Sequence, residues 1–171
     1  GPLVFSLVGL IGLSAAWVED PPDSGRLAFL GQRYIQLPYS KTRAFFFMVS
    51  MGTLATLLSS VLDHARTDFS NPWLWVPTAA GVFGVVVAAL LGMLEQPRQA
   101  DLWIYLVAML LLILVGVIGL WLHIQQNLTA EGLVVQERFV RGAPFLAPLL
   151  FANMGALGLL AMLNPREGER A

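Results

Sequence analysis

The 171-residue chain is 57% hydrophobic and only 12% charged, with a mean hydropathy of +0.70 and a formal net charge of −1. A soluble domain carries roughly 25% charged residues, so this chain lacks the polar surface to clothe a water-soluble globule, and lipid is the expected solvent for much of it. The near-neutral charge without a basic stripe argues against a nucleic-acid partner, and zero cysteines exclude disulfides, thiolate metal sites and dithiol redox chemistry.

Five runs carry no charge: Pro2–Val18, Ala44–Leu62, Trp73–Leu94, Leu102–Leu122 and Gly142–Leu163. The last four hold 19, 22, 21 and 22 residues, and about 20 are needed to cross a hydrocarbon core of roughly 30 Å. The first holds 17. It follows Gly1-Pro2 without a basic segment, a pattern unlike a signal peptide and one that leaves open residues upstream or a cloning remnant. Backbone groups in lipid must be satisfied within the segment, which makes these runs helices rather than barrel strands. The expected fold is therefore all-α: an integral membrane bundle of five transmembrane helices, and at least four, forming a single domain over residues 1–171.

Between the runs, Glu19-Asp20-Pro21-Pro22-Asp23 stops the first helix. Ser24 then caps a short interfacial helix near 26–35, in which Leu27, Leu30 and Tyr34 share a face. Residues 125–141 mix charges with Leu133, Val134, Val135, Phe139 and Val140 in no clear period, as expected of a structured external lid.

Trp17, Trp73, Trp75, Trp103 and Trp121 all fall near span ends, where indole rings mark the two interfaces. One side collects Arg26, Arg33, Lys41, Arg43, Arg98, Arg166 and Arg170, the other Arg66, Arg138 and Arg141. Positively charged loops stay inside, so the first side and the C-terminus are expected in the cytoplasm. Arginine outnumbers lysine nine to one, a bias of GC-rich bacterial genomes, and the expected location is a bacterial inner membrane.

No ionisable residue falls within the five spans, which disfavours pumps and ion-coupled transporters. Nucleophile elbow, phosphate loop and HExxH motif are all missing, and no catalytic residue is assigned. Only two histidines occur, His64 and His123, each ending a span and both at the external face. Gly52, Thr56 and Ser60 lead up to the first at intervals of four, and Gly116 and Gly119 to the second. Such small stripes let a helix, or a flat macrocycle, come close. Two accounts compete: the imidazoles are axial ligands of one haem b, with Arg66, Arg138 or Arg141 near its propionates, or they are helix-end residues satisfying the last carbonyls. A metal ion with Asp63 or Asp68 as carboxylate partner is a variant of the first. Gly84, Ala88 and Gly92 form a packing ridge, and Asn153 falls at mid-span, as interhelical glue or as a donor to quinone or pigment. Pro148 is expected to bend the entry of the last helix.

These features predict a non-catalytic small subunit or accessory protein of a larger inner-membrane complex, in contact with lipid and other membrane subunits and enclosing lipid, quinone or pigment. The alternatives are a haem-b electron-transfer subunit using His64 and His123, and a small uncharged-solute transporter.

Overall fold

The computed structural model describes residues 18–29, 33–66, 68–132 and 134–163. The first predicted span lies outside the described residues except for Val18. From Glu19 onward the order is β1 (Arg26–Phe29), β2 (Arg33–Gln36), α1 (Lys41–Ala65), a 3-10 turn (Pro72–Leu74), α2 (Trp75–Met93), α3 (Gln99–Thr129), α4 (Val135–Arg141) and α5 (Leu149–Met162). The chain is mostly helical, and α1, α3 and the Pro72–Met93 stretch are long and apolar enough to cross a membrane.

The segment expected as an interfacial helix near 26–35 is instead an antiparallel hairpin in which Leu27 pairs Ile35 and Ala28 pairs Tyr34. A helix of ten residues is marginal by itself, whereas this hairpin gains partners on both sides. The Ala28 amide donates to the Val18 carbonyl, the Leu37 amide donates to the Gly25 carbonyl, and Glu19 bridges Leu27. Gly25 sits at φ +72°, where a side chain would collide with the Leu37 and Tyr39 carbonyls. Arg26 lies 3.9 Å over the Tyr34 ring on the strand diagonal.

Glu19 ties the hairpin to the bundle. Its buried carboxylate accepts from the Gly25 amide (2.6 Å) and from the Lys41 amide (3.1 Å), the latter at the N-terminus of α1. Ser40 completes the cap by accepting from the Arg43 amide. Glu19→Ala should lower stability in detergent by about 1–3 kcal/mol, because two backbone donors lose their acceptor. Glu19→Gln, which keeps one oxygen, should fall between. Thermal unfolding that ranks Glu19→Ala equal to wild type would show that the tether contributes nothing.

The helices exceed the charge-free runs where polar residues can leave the apolar layer without leaving the helix. Thus α1 begins at Lys41 rather than Ala44, and α3 runs from Gln99 to Thr129 instead of 102–122. Asp101 supports the start of α3, accepting from the Arg98 amide at 2.8 Å. The expected lid at 125–141 accordingly divides: its first residues continue α3, and Val135–Arg141 forms the short helix α4. The last helix is shorter than the predicted Gly142–Leu163 and holds 14 residues. Pro144 and Pro148 supply no amide protons, so the chain enters through single turns, Ala147 to Pro144 and Leu150 to Ala147, before α5 is established.

The four main helices form a ring in which α1 packs on α2, α2 on α3, α3 on α5 and α5 on α1. Helices α1 and α3 stand on one diagonal. The axis is filled by Val49, Thr53, Tyr105, Met109 and Leu112, all nearly or wholly inaccessible. Tyr105 donates to the Gly158 carbonyl of the neighbouring α5 at 3.2 Å, and Phe46 of the diagonally placed α1 meets its ring edge-on at 5.0 Å.

Candidate functional site

His64 closes the last turn of α1 and His123 lies near the end of α3, at the same end of the ring. The two imidazoles are close enough for their charges to interact, and Asp63 is within electrostatic range of both. The diagonal arrangement of α1 and α3 thus still brings the two predicted site residues into one neighbourhood.

What surrounds each ring is protein. After α1 the chain turns through Asp68 and Phe69, both at positive φ (51° and 48°), a costly conformation for phenylalanine. That turn lays Phe69 edge-on to His64 at 6.1 Å and stacks it on Trp75 at 4.4 Å. The Pro144 carbonyl lies near the His123 ring, whose buried Nδ1 has no hydrogen-bond partner among the described residues.

The small stripes that would admit a macrocycle are occupied by α5 and its entry. A methyl placed on Gly116 would stand 2.5 Å from the Ala152 nitrogen and 2.8 Å from the Pro148 carbonyl oxygen. On Gly119 it would meet Pro148 Cβ at 2.8 Å, and on Gly52 Met154 Sδ at 2.5 Å. Thr56 turns its hydroxyl back to the Gly52 carbonyl at 2.9 Å. Gly116 therefore admits backbone of α5 and its entry, whereas Gly119 and Gly52 admit the side chains of Pro148 and Met154. Nor do three metal-binding side chains converge among the described residues, so His64 and His123 gain no third ligand from Asp63 or Asp68.

The arrangement instead holds an irregular segment in place. Asn127, which sequence reasoning passed over, is 2% exposed and clamps Ala143 twice. Its Nδ2 donates to the Ala143 carbonyl (2.8 Å) and its Oδ1 accepts from the Ala143 amide (2.9 Å). Arg138 Nη1 donates to the Leu128 carbonyl at 3.0 Å, and the Gly142 amide donates to the Arg138 carbonyl at 2.7 Å. Any Cβ at Gly142 would strike both Asn127 Oδ1 and the Arg138 carbonyl. The sequence signal was available as an asparagine one turn past His123, facing a Gly-Ala-Pro stretch, but nothing in the sequence said that the two meet.

The remaining predicted residues fall into the core. Gly84 faces the Leu112 side chain, Gly92 faces the Phe47 ring, and Ala88 is fully buried between them. Asn153 is 1% exposed, yet neither its Nδ2 nor its Oδ1 has a hydrogen-bond partner among the described residues. It lies at the level where Met154 meets Gly52 and Ala152 meets Gly116, near the middle of the ring. A buried amide without partners costs about 1–3 kcal/mol. Asn153→Leu should therefore leave the melting temperature unchanged or raise it. A clear fall would show that the carboxamide is hydrogen-bonded in the working protein.

Compared with protein-family models, curated proteins and solved structures, the chain shows no match.

Proposed function

We propose that this chain is a multi-pass membrane protein without a catalytic centre of its own, acting as a small accessory subunit of a larger bacterial inner-membrane assembly. The observation that carries it is the outer face of α3. Trp103, Val107, Leu110, Leu114, Val117 and Trp121 recur there every three or four residues, each about half exposed or more. At 1.5 Å per residue the two tryptophans stand about 27 Å apart along the axis, close to the roughly 30 Å of a hydrocarbon core. A tryptophan at each end of an apolar stripe is the signature of a lipid-facing helix.

The interior supports an accessory role over transport or electron transfer. Among the described residues Met109 and Leu112 fill the axis where a solute path would run, and Phe69 and the Pro144 carbonyl lie beside the two histidines. The outer faces of α2 and α3 are then the surfaces that meet lipid and neighbouring subunits. The hairpin end gathers the larger share of basic residues, and the positive-inside bias puts it and the C-terminus in the cytoplasm.

Reporter fusions after Arg98 and after Arg166 should both signal the cytoplasm; an external signal at either site overturns the orientation. The protein should remain in the membrane pellet after alkaline carbonate extraction. Solubilised from native membranes in a mild polymer, it should migrate with other chains in fixed stoichiometry. Migration as an isolated 18.6 kDa chain would defeat the accessory assignment.

A further inference from the structure

At the hairpin end of the ring a cleft of about 1140 Å³ opens among the start of α1, the α2–α3 connection and the end of α5. That is slightly more than pockets for small ligands enclose, roughly 300–1,000 Å³. Its floor is apolar, with Phe46, Leu91 and Ala161, all buried core residues. Its rim carries both signs of charge, Arg43 against Glu95 and Asp23. Arg43 is held rigidly: Nε donates to the Gly92 carbonyl at 2.8 Å and Nη2 to the Met93 carbonyl at 3.1 Å, satisfying the end of α2. Its Nη1 is left at a loose 3.9 Å from Glu95 Oε1, whose side chain is 86% exposed. Leu94 and Leu163, also on the lining, are exposed and add apolar surface to the cleft.

We propose that this cleft binds one zwitterionic amine phospholipid, with its phosphate on Arg43 Nη1, its ammonium between Glu95 and Asp23, and its chains leaving over the apolar floor. The proposal rests on the membrane assignment above. A fixed guanidinium suits a phosphate oxygen, and the two carboxylates suit an ammonium that an anionic headgroup lacks. A quinone, which carries neither charge, could accept a hydrogen bond from Arg43 but would leave both carboxylates unused.

The test is native mass spectrometry of the delipidated full chain in detergent, titrated separately with phosphatidylethanolamine, phosphatidylglycerol and a short-chain quinone. One phosphatidylethanolamine should be retained, about tenfold more tightly than phosphatidylglycerol, the ratio worth 1.4 kcal/mol. The double variant Asp23→Asn, Glu95→Gln should erase that preference, and because both carboxylates are exposed its melting temperature should stay at the wild-type value. Equal retention of the two lipids by wild type, an undiminished preference in the double variant, or quinone competing for the same single site would each overturn it. Carbonate extraction distinguishes the two failures: release of the protein from membranes overturns the membrane assignment, whereas retention with equal lipid binding overturns the cleft alone.

Discussion

Gly155→Leu should abolish the folded bundle or lower its stability in detergent by more than about 3 kcal/mol, beyond the roughly 1–3 kcal/mol typical of overpacking. The reason lies in what surrounds the position. A methyl on Gly155 would stand 2.5 Å from the Met109 carbonyl oxygen and 3.1 Å from the Ile113 amide nitrogen, both backbone atoms of α3. Backbone cannot rotate away as a side chain can, so the only relief is separation of α3 from α5. Gly116 on α3 makes the reciprocal approach to the α5 backbone, so separation there would undo two close contacts together. Gly84→Leu offers the comparison, since the three atoms nearest that position all belong to the Leu112 side chain, at 2.9–3.3 Å, and rotamer adjustment can absorb part of the intrusion. Thermal unfolding should rank wild type above Gly84→Leu and Gly84→Leu above Gly155→Leu. Gly132→Ala meets nothing within 4 Å and should show only the strain of its positive φ. If Gly155→Leu melts within about 0.5 kcal/mol of wild type, the spread seen for ordinary surface changes, α3 and α5 do not meet backbone to backbone.

The two glycine classes also show what could be read in the sequence and what could not. Charge-free length located the cores of α1, α2 and α3, because an apolar run long enough for a bilayer has few alternatives to a helix. It misplaced their ends, since Lys41 and the Gln125–Asn127 stretch are polar yet helical, and charge content says nothing of backbone continuity. The Gly142–Leu163 run was long enough but not helical throughout, and its prolines were the legible warning. The hairpin was hidden by the spacing of Leu27, Leu30 and Tyr34, which fits a helical face; its backbone partners, Val18 and Gly25, lie outside that window. At the candidate site, the meeting of His64 and His123 at one end follows from helix direction alone. Their engagement by Phe69 and Pro144 depends on loop geometry, which no periodicity encodes. Likewise the stripes of small residues announced a close approach without saying whether a helix or a macrocycle makes it, and α5 and its entry lie against them.

Asn127→Leu should be the most damaging change among the polar residues, at about 2–4 kcal/mol, because one side chain satisfies both the carbonyl and the amide of Ala143. Leucine keeps the branching with somewhat greater bulk and removes both bonds, leaving two backbone groups of the α5 entry without partners at a site 2% exposed. Asn127→Asp retains the acceptor for the Ala143 amide but sets a carboxylate against the Ala143 carbonyl, and it should also destabilise. One residue further on, the same segment passes close to the His123 ring at the Pro144 carbonyl. His123→Ala alone should therefore lower stability by no more than about 1 kcal/mol, the net worth of one ordinary hydrogen bond. The two residues restrain a common stretch of backbone, so their effects should not add. A double-mutant cycle should give a coupling of at least about 0.5 kcal/mol, with the second loss smaller than the first because the segment has already come away. Strict additivity would mean that Asn127 and His123 act on independent elements, and the histidine would then need a role other than holding the entry to α5.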